Sequence, residues 1–197
     1  HFHRSPELSA QELETSKRLA AELRALDYEV TEGVGGTGVV AVLRNGAGPT
    51  VLLRADMDGL PVEEDSGLPY ASTARQVDLA GIEQPVMHAC GHDVHITSLI
   101  GTARRLAAMR DRWRGTVLLI AQPAEERLGG ARAMMEDGLY TRFPKPDYAL
   151  AFHVGADMPT GRIQLDPGIT YSSSDSVDIL VHGIGAHGAS PHEGRDP

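Results

Sequence analysis

The stretch Met87-His88-Ala89-Cys90-Gly91-His92-Asp93 holds the only cysteine of the chain, two residues before a histidine and at the mouth of a helix. Cys90 and His92 flank a glycine, so in an extended or looped backbone their side chains can point the same way, and thiolate and imidazole both suit zinc or manganese. A solitary cysteine is often only a small buried apolar residue, so the metal reading depends on further ligands converging on it. Glu125-Glu126 follows an apolar run. Adjacent carboxylates at the end of a buried strand are costly, because desolvation and mutual repulsion both oppose ionising the pair unless a cation is near. Neighbouring side chains on an extended backbone point opposite ways, so one glutamate can bind metal while the other faces substrate as a general base. His153 interrupts an otherwise apolar strand, and Asp56 and Asp58 end another, where either can orient a ligand histidine through its second ring nitrogen. Each group also has a plainer assignment: a solvated acidic pair or helix start for the glutamates, a core histidine for His153, turn caps for the aspartates. His88 and His95 read as supporting or surface residues, and Met134-Met135 as helix packing.

The elements that must carry these groups follow from periodicity. Ser9-Ala10-Gln11-Glu12 reads as a capping box opening an amphipathic helix in which Leu13, Ala20, Leu23 and Leu26 recur up to Tyr28. Residues 29–34, 39–44 and 50–56 read as strands, the last two joined by Asn45-Gly46-Ala47-Gly48, whose Asn-Gly step favours a hairpin. From Gly59 to Gln84 the chain is rich in Gly, Pro, Ser and acidic residues without a sustained period; so long a loop in a compact domain is usually functional. Ile96, Leu99, Ile100, Ala103, Leu106 and Ala107 mark a helix face running to about Met109. Residues 116–121 form a continuous apolar run of buried-strand type, a helix over 131–137 closes at Gly138, and 148–154 reads as another buried strand. The alternation predicts an α/β domain with a largely parallel sheet flanked by helices, in which sites gather beyond the carboxyl ends of the strands. Asp56, Glu125, Glu126 and His153 all lie at such ends.

Residues 161–174 are irregular and polar, after which Val177, Ile179 and Val181 alternate with Asp178, Leu180 and His182 in a fresh strand. The boundary is expected near Tyr171, dividing a domain over 1–171 from the beginning of a second over 172–197, whose glycine-punctuated loop carries His187 and His192. Gly33-Val34-Gly35-Gly36-Thr37-Gly38 fits the dinucleotide glycine pattern, but a strand rather than a helix follows it, so it reads as a glycine-rich turn.

The 197 residues are 41% hydrophobic and 23% charged, an ordinary globular composition. The formal charge of -9 argues against a nucleic-acid surface, and no apolar run reaches membrane-spanning length. One cysteine allows no internal disulfide, which fits a reducing, cytoplasmic compartment and leaves Cys90 free for metal or redox chemistry. The chain starts at His1-Phe2 without methionine and stops at Asp196-Pro197 in mid-pattern, so both ends are expected to be cut.

Taken together, His3-Arg4-Ser5-Pro6-Glu7-Leu8-Ser9, Arg54-Ala55-Asp56-Met57-Asp58-Gly59-Leu60-Pro61, Met87 to Asp93, Gln122 to Glu126, Ala151-Phe152-His153-Val154 and Gly185 to His192 carry a resemblance. The chain resembles the two-metal aminoacylase, hippurate hydrolase and auxin-conjugate amidohydrolase branch of the aminoacylase and glutamate-carboxypeptidase metallopeptidase family. The resemblance implies a zinc-peptidase-like catalytic domain plus the start of a small α+β lid and dimerisation domain. It implies Cys90, His92, Glu126 and His153 as ligands of two divalent ions, zinc or manganese, about 3.5 to 4 Å apart. Glu125 becomes the base that activates the attacking water and Asp56 the partner behind a ligand. His187 matches the histidine that reaches a partner subunit's site and stabilises the oxyanion, so a homodimer through the lid is implied. The substrate implied is a small N-acyl amino acid. Arg54 stands where the wider family has a ligand histidine, as it does in this branch, and the family's last ligand histidine falls beyond Pro197. Two rivals have distinct signatures: a metal-free Cys90-His92 thiol hydrolase would ignore chelators, and a noncatalytic metal-binding relative would bind metal without turnover.

Overall fold

Val39 to Leu43 and Val117 to Ala121 are apolar at every position, so neither segment has a face to turn toward water. Both lie buried inside one sheet covered on two sides. A computed structural model describes residues 1–165, 167–168, 177, 179–180 and 182–195. The sheet contains β1 (Glu29–Val34), β2 (Gly38–Asn45), β3 (Thr50–Asp56), β6 (Gly115–Gln122) and β7 (Tyr148–Ala151) in the order β1-β2-β6-β3-β7. β3 pairs parallel with both β6 and β7, while β1, β2 and β6 pair antiparallel in series. The sheet is thus parallel over its β6-β3-β7 half and antiparallel at the other edge.

The two-residue period of a strand splits the apolar runs between two cores. Val39, Ala41, Leu43, Val117, Leu119 and Ala121 face one side, where Leu19 and Leu23 of α1 (Leu13–Arg24) and Ile96 and Leu99 of α2 (His92–Ala108) cover them. Val40, Val42, Leu118 and Ile120 face the other, against Met134 of α3 (Gly130–Glu136) and Leu139 of α4 (Leu139–Arg142). Leu118 and Leu119 are shielded almost completely, so truncating either to alanine would cost about 2–5 kcal/mol. The result is the helix-flanked α/β sheet that the alternating pattern predicts.

Several local expectations give way to long-range packing. The Asn45-Gly46 step does not close a hairpin, because β6 lies between β2 and β3. β6 is apolar on both faces and takes a partner on each edge; β2 and β3 therefore stand two strand spacings apart, about 9.5 Å. Residues 46–49 arch over the start of β6, where Thr116 N donates to Pro49 O at 2.9 Å, and the Asn45 amide donates to Arg110 O and Trp113 O. The hairpin forms instead between β1 and β2, through the glycine-rich turn, with Val34 opposite Gly38.

The strand expected over 148–154 ends at Ala151, and its residues are exposed rather than buried, since β7 pairs only with β3 among the described residues. The expected capping box is also absent: Glu12 stands at the N-cap of α1 without a side-chain cap, and Ser9 Oγ donates to Asp58 Oδ2 at 2.6 Å. The 59–84 loop includes a small ribbon of β4 (Arg75–Val77) and β5 (Glu83–Pro85). Among the described residues no helix is long and apolar enough to cross a membrane.

Contacts divide the chain between Ala156 and Asp157. The boundary expected at Tyr171 lies outside the described residues, as do Asp178 and Val181 of the expected strand. In the second unit Ile184 and Arg195 exchange backbone hydrogen bonds at 3.0 Å in an antiparallel bridge, next to a single 3-10 turn at Pro191–Glu193.

Candidate metal centre

Because β3, β6 and β7 are parallel, their carboxyl ends emerge along one edge, the edge at which open α/β sheets place their sites. β3 ends in Asp56 and continues to Asp58, β6 leads through Pro123-Ala124 to Glu125 and Glu126, and β7 leads to His153. The fourth contributor is the start of α2. Gly91 stands at its N-cap with φ +81°, a left-handed conformation that separates Cys90 from the first helical residue, His92. A Cβ on Gly91 would lie 2.5 Å from Val154 Cγ2, so glycine also lets the segment after His153 pack over the Cys90-His92 turn.

His92 is the hub and is fully buried. Its Nδ1 faces Asp58 Oδ1 at 3.3 Å; its Nε2 lies 3.6 Å from Glu126 Oε1, 3.7 Å from Asp56 Oδ2 and 3.8 Å from Glu125 Oε2. Burial opposes charging this imidazole, but Asp58, Asp56 and Glu126 together outweigh it and raise the pKa above the ordinary value. Glu126 shifts upward too, first because it is desolvated. Cys90 Sγ meets His153 Nε2 at 3.2 Å, and His153 Nδ1 donates to Val154 O at 2.7 Å, which leaves Nε2 with its lone pair toward the sulfur. Burial, then the Glu126 and Glu125 carboxylates, push the Cys90 thiol up to about 12.

The aspartates divide their work. Asp58 takes the second nitrogen of His92, and its Oδ2 accepts from Ser9 Oγ and, at 3.0 Å, from Glu126 N. Asp56 is tied to His95 instead: Val154 N donates to His95 Nε2 at 3.0 Å, so the proton sits on His95 Nδ1, which donates to Asp56 Oδ1 at 2.6 Å. Asp56 Oδ2 also pairs with Arg54 Nη1 at 2.7 Å, and Arg54 Nε donates to Gln122 Oε1. Burial works against the charge on both aspartates, but these partners outweigh it and hold each pKa below the ordinary carboxylate value.

The donor set fits a divalent metal. Cys90, His92 and His153 form one group with ligand atoms within 4.8 Å of one another; His92, Glu125 and Glu126 form a second, and Asp56, His92 and His95 a third. His92 Nε2 and Glu126 Oε1 are buried, lack a hydrogen-bond partner among the described residues and stand too far apart to bond each other. Two such atoms sharing a cation would lose the cost of being left unpaired. Thiolate, imidazole and carboxylate together suit zinc or manganese.

The structure thus brings together Cys90, His92, Glu125, Glu126, His153 and Asp56. His187 belongs to the second unit, where its Nδ1 accepts from Ala189 N at 3.1 Å. Sequence spacing left open which aspartate serves His92, and that proved to be a tertiary matter. It also missed Ser9 and Glu12, whose local pattern suggested helix capping, although a serine and a glutamate flanking Ala10-Gln11 are equally able to turn inward.

Fold and site define an α/β protein with a cluster of metal-ligand residue types at the carboxyl edge of its parallel strands. The model of peptidase family M20/M25/M40 matches residues 52–193, and the chain belongs to that family. It is 45% identical over 200 residues to a hippurate hydrolase of Campylobacter jejuni, covering 100% of this chain and 48% of the relative. It is 44% identical to thermostable carboxypeptidase 2 of Saccharolobus solfataricus over a similar span, 100% and 48%. A crystal structure of a Bacillus subtilis dinuclear metal binding peptidase of family M20 superposes with a TM-score of 0.70 at 38% identity, covering 80% of this chain and 41% of that one. The chain spans about half the length of the curated relatives it matches.

Proposed function

We propose that this chain carries most of the catalytic centre of a metal-dependent amidohydrolase acting on N-acyl amino acids, with two zinc or manganese ions held by Cys90, His92, Glu126 and His153. The observation that carries the reading is the convergence of these four groups with Glu125 around the unpartnered His92 Nε2 and Glu126 Oε1. The ions, when bound, supply Lewis-acid charge that acidifies water and polarises the acyl carbonyl. Glu125, about one-third exposed beside more deeply buried Glu126, takes the proton of the attacking water and passes it to the departing amine. The Asp58 carboxylate, with Oδ1 3.3 Å from His92 Nδ1, attracts the imidazole proton to that nitrogen and leaves Nε2 to offer its lone pair. Asp56 supports the same side of the site through Arg54 and His95. A carboxylic acid and a free amino acid leave.

The hippurate hydrolase and carboxypeptidase relatives support an amide whose amine half is an amino acid. A metal-free thiol hydrolase is disfavoured, because a nucleophilic cysteine needs a lowered pKa and that of Cys90 goes up. The reading extends to a homodimer in a reducing compartment, with His187 of one copy stabilising the oxyanion in the other through the lid formed from 172 onward. Mixing inactive His187→Ala and Glu125→Gln proteins would then restore about a quarter of the wild-type rate, since half the dimers would hold one intact site; no recovery would show that His187 acts within its own chain or not at all.

The deciding experiment is hydrolysis of an N-acyl amino acid panel, hippurate included, before chelation, after chelation and after zinc or manganese is restored. Activity lost and regained with metal supports the proposal. Activity indifferent to chelator points to Cys90 as nucleophile, and metal-loaded protein without turnover points to a binding module.

A further inference from the structure

Glu12 is a fully buried carboxylate that forms no ion pair among the described residues, and it lies against the turn that delivers Glu125 and Glu126. Its Oε1 accepts from Ala10 N at 2.9 Å and from Ala124 N at 2.8 Å, and its Oε2 accepts from the Thr37 hydroxyl. Burial pushes the Glu12 carboxyl above its ordinary pKa, and two backbone amides and a hydroxyl act against that shift by replacing part of the lost hydration.

The residue it reaches across 112 positions is unusual. Ala124 has φ +45°, a left-handed conformation that a residue with a Cβ rarely adopts. On its other side the Ala124 carbonyl accepts from Gly129 N at 3.3 Å and Gly130 N at 3.2 Å. A Cβ on Gly130 would stand 1.6 Å from Pro123 O, so α3 abuts the turn directly. Two residues on, Glu126 N donates to Asp58 Oδ2. Glu125 therefore sits on a turn clamped at Ala124 N by Glu12, at Ala124 O by α3, and at Glu126 N by Asp58.

We propose that Glu12 is a positioning residue for the hydrolysis proposed above: by accepting the Ala124 amide it holds Ala124 in the left-handed region and so sets the direction in which Glu125 and Glu126 leave β6. The catalytic consequence rests on that function; the clamp itself does not. An acid suits the task because one of its oxygens takes two amides while the other takes the Thr37 hydroxyl. Glutamine retains the first oxygen, and the threonine hydroxyl can rotate to accept from its amide.

The test compares Glu12→Ala, Glu12→Gln and the double variant Glu12→Ala/Ala124→Gly in the protein as the cell makes it. Its readouts are amide exchange at Ala124 and Glu126, affinity for zinc, and kcat and KM for hippurate. Glu12→Ala is expected to accelerate exchange at these two amides more than elsewhere, and to weaken zinc binding and lower kcat by roughly 10–100-fold, as loss of an outer supporting group does. KM should change little. Glu12→Gln should stay within about threefold of wild type. Glycine at 124 should return part of the lost kcat, because it holds positive φ without a Cβ penalty. Should Glu12→Ala not fold, Glu12→Asp, which draws the carboxylate back by one methylene, carries the same readouts. Unchanged exchange at Ala124, or a uniform loss of protection that glutamine does not spare, would overturn the proposal. Wild-type protein without turnover would sink the hydrolase reading alone, with exchange and zinc affinity still deciding the role of Glu12.

Discussion

His92 Nε2 and Glu126 Oε1 stand 3.6 Å apart, both buried and both without a hydrogen-bond partner among the described residues. Apolar packing does not explain two polar atoms left facing each other in this way; the proposed metal site would give both a partner. Binding to the folded state alone stabilises by mass action, so zinc or manganese at one hundred times its dissociation constant should add about 2.7 kcal/mol. For a chain of this size that corresponds to a rise in Tm of roughly 5–10 °C. His92→Ala should abolish the rise, whatever it does to the metal-free protein. An equal metal-induced shift in both would remove His92 from the ligand set.

Glu125 lies on the same clamped turn as Glu126, with its Oε2 3.8 Å from His92 Nε2. Glu125→Gln preserves size and loses basicity. Turnover should fall by roughly 10²–10⁴-fold, the usual worth of a positioned base, while metal content measured by elemental analysis stays at the wild-type value. Unchanged turnover would sink the general-base assignment.

Gly91 joins the two ends of the Cys90-Gly91-His92 motif at φ +81°. An alanine there would cost about 1–2 kcal/mol for the left-handed conformation alone. Its Cβ would also displace Val154, next to His153. Urea denaturation of metal-free Gly91→Ala should therefore show a lower midpoint, and its zinc affinity should drop as well; a stability equal to wild type would mean that the turn can rearrange freely.

His3 ties the beginning of the chain to two distant carboxylates, with Nδ1 2.9 Å from Asp93 Oδ2 and Nε2 3.0 Å from Glu64 Oε1. Burial opposes charging the ring, but the carboxylates outweigh it and raise its pKa above 6.5. Glu64 is lowered to about 2, first by the Ser66 hydroxyl and then by the Ser72 amide. A raised histidine stabilises fully below its unfolded pKa and loses that contribution as pH rises through the folded one; a lowered glutamate stabilises above its unfolded value, 4.5, and loses it as pH falls toward 2. The link is therefore strongest between 4.5 and 6.5. The stability difference between wild type and His3→Gln, from urea midpoints, should shrink from pH 6 to pH 8.5. A difference independent of pH would show that His3 is not charged in the fold.

Much of this was legible in residue types and spacing. Cys90-Gly91-His92, the Glu125-Glu126 pair and His153 stand out because each places a metal-ligating or acidic group where a strand ends or a helix begins, which is local information. The helix-flanked sheet was legible for the same reason: Val39 to Leu43 of β2 and Val117 to Ala121 of β6 are apolar at every position, and such segments need cover on both faces.

Other features depend on contacts between distant parts of the chain, which local pattern does not contain. The Asn45-Gly46 step has the composition of a hairpin turn, but β6, seventy residues later in the chain by register, enters between the strands that it joins. Ser9 and Glu12 have the composition of a capping box, but their side chains bond Asp58 and Ala124 instead. The alternation of elements, the apolar runs that build two cores and the identities of the groups able to hold a metal are local properties, readable from residue order alone. The order of the strands, the pairing of Asp58 with His92 and Asp56 with His95, and the burial of Glu12 beneath the glutamate turn arise only in the folded chain. Those outcomes follow from hydrogen bonding, charge pairing and packing between segments that meet only when helices cover both faces of the sheet.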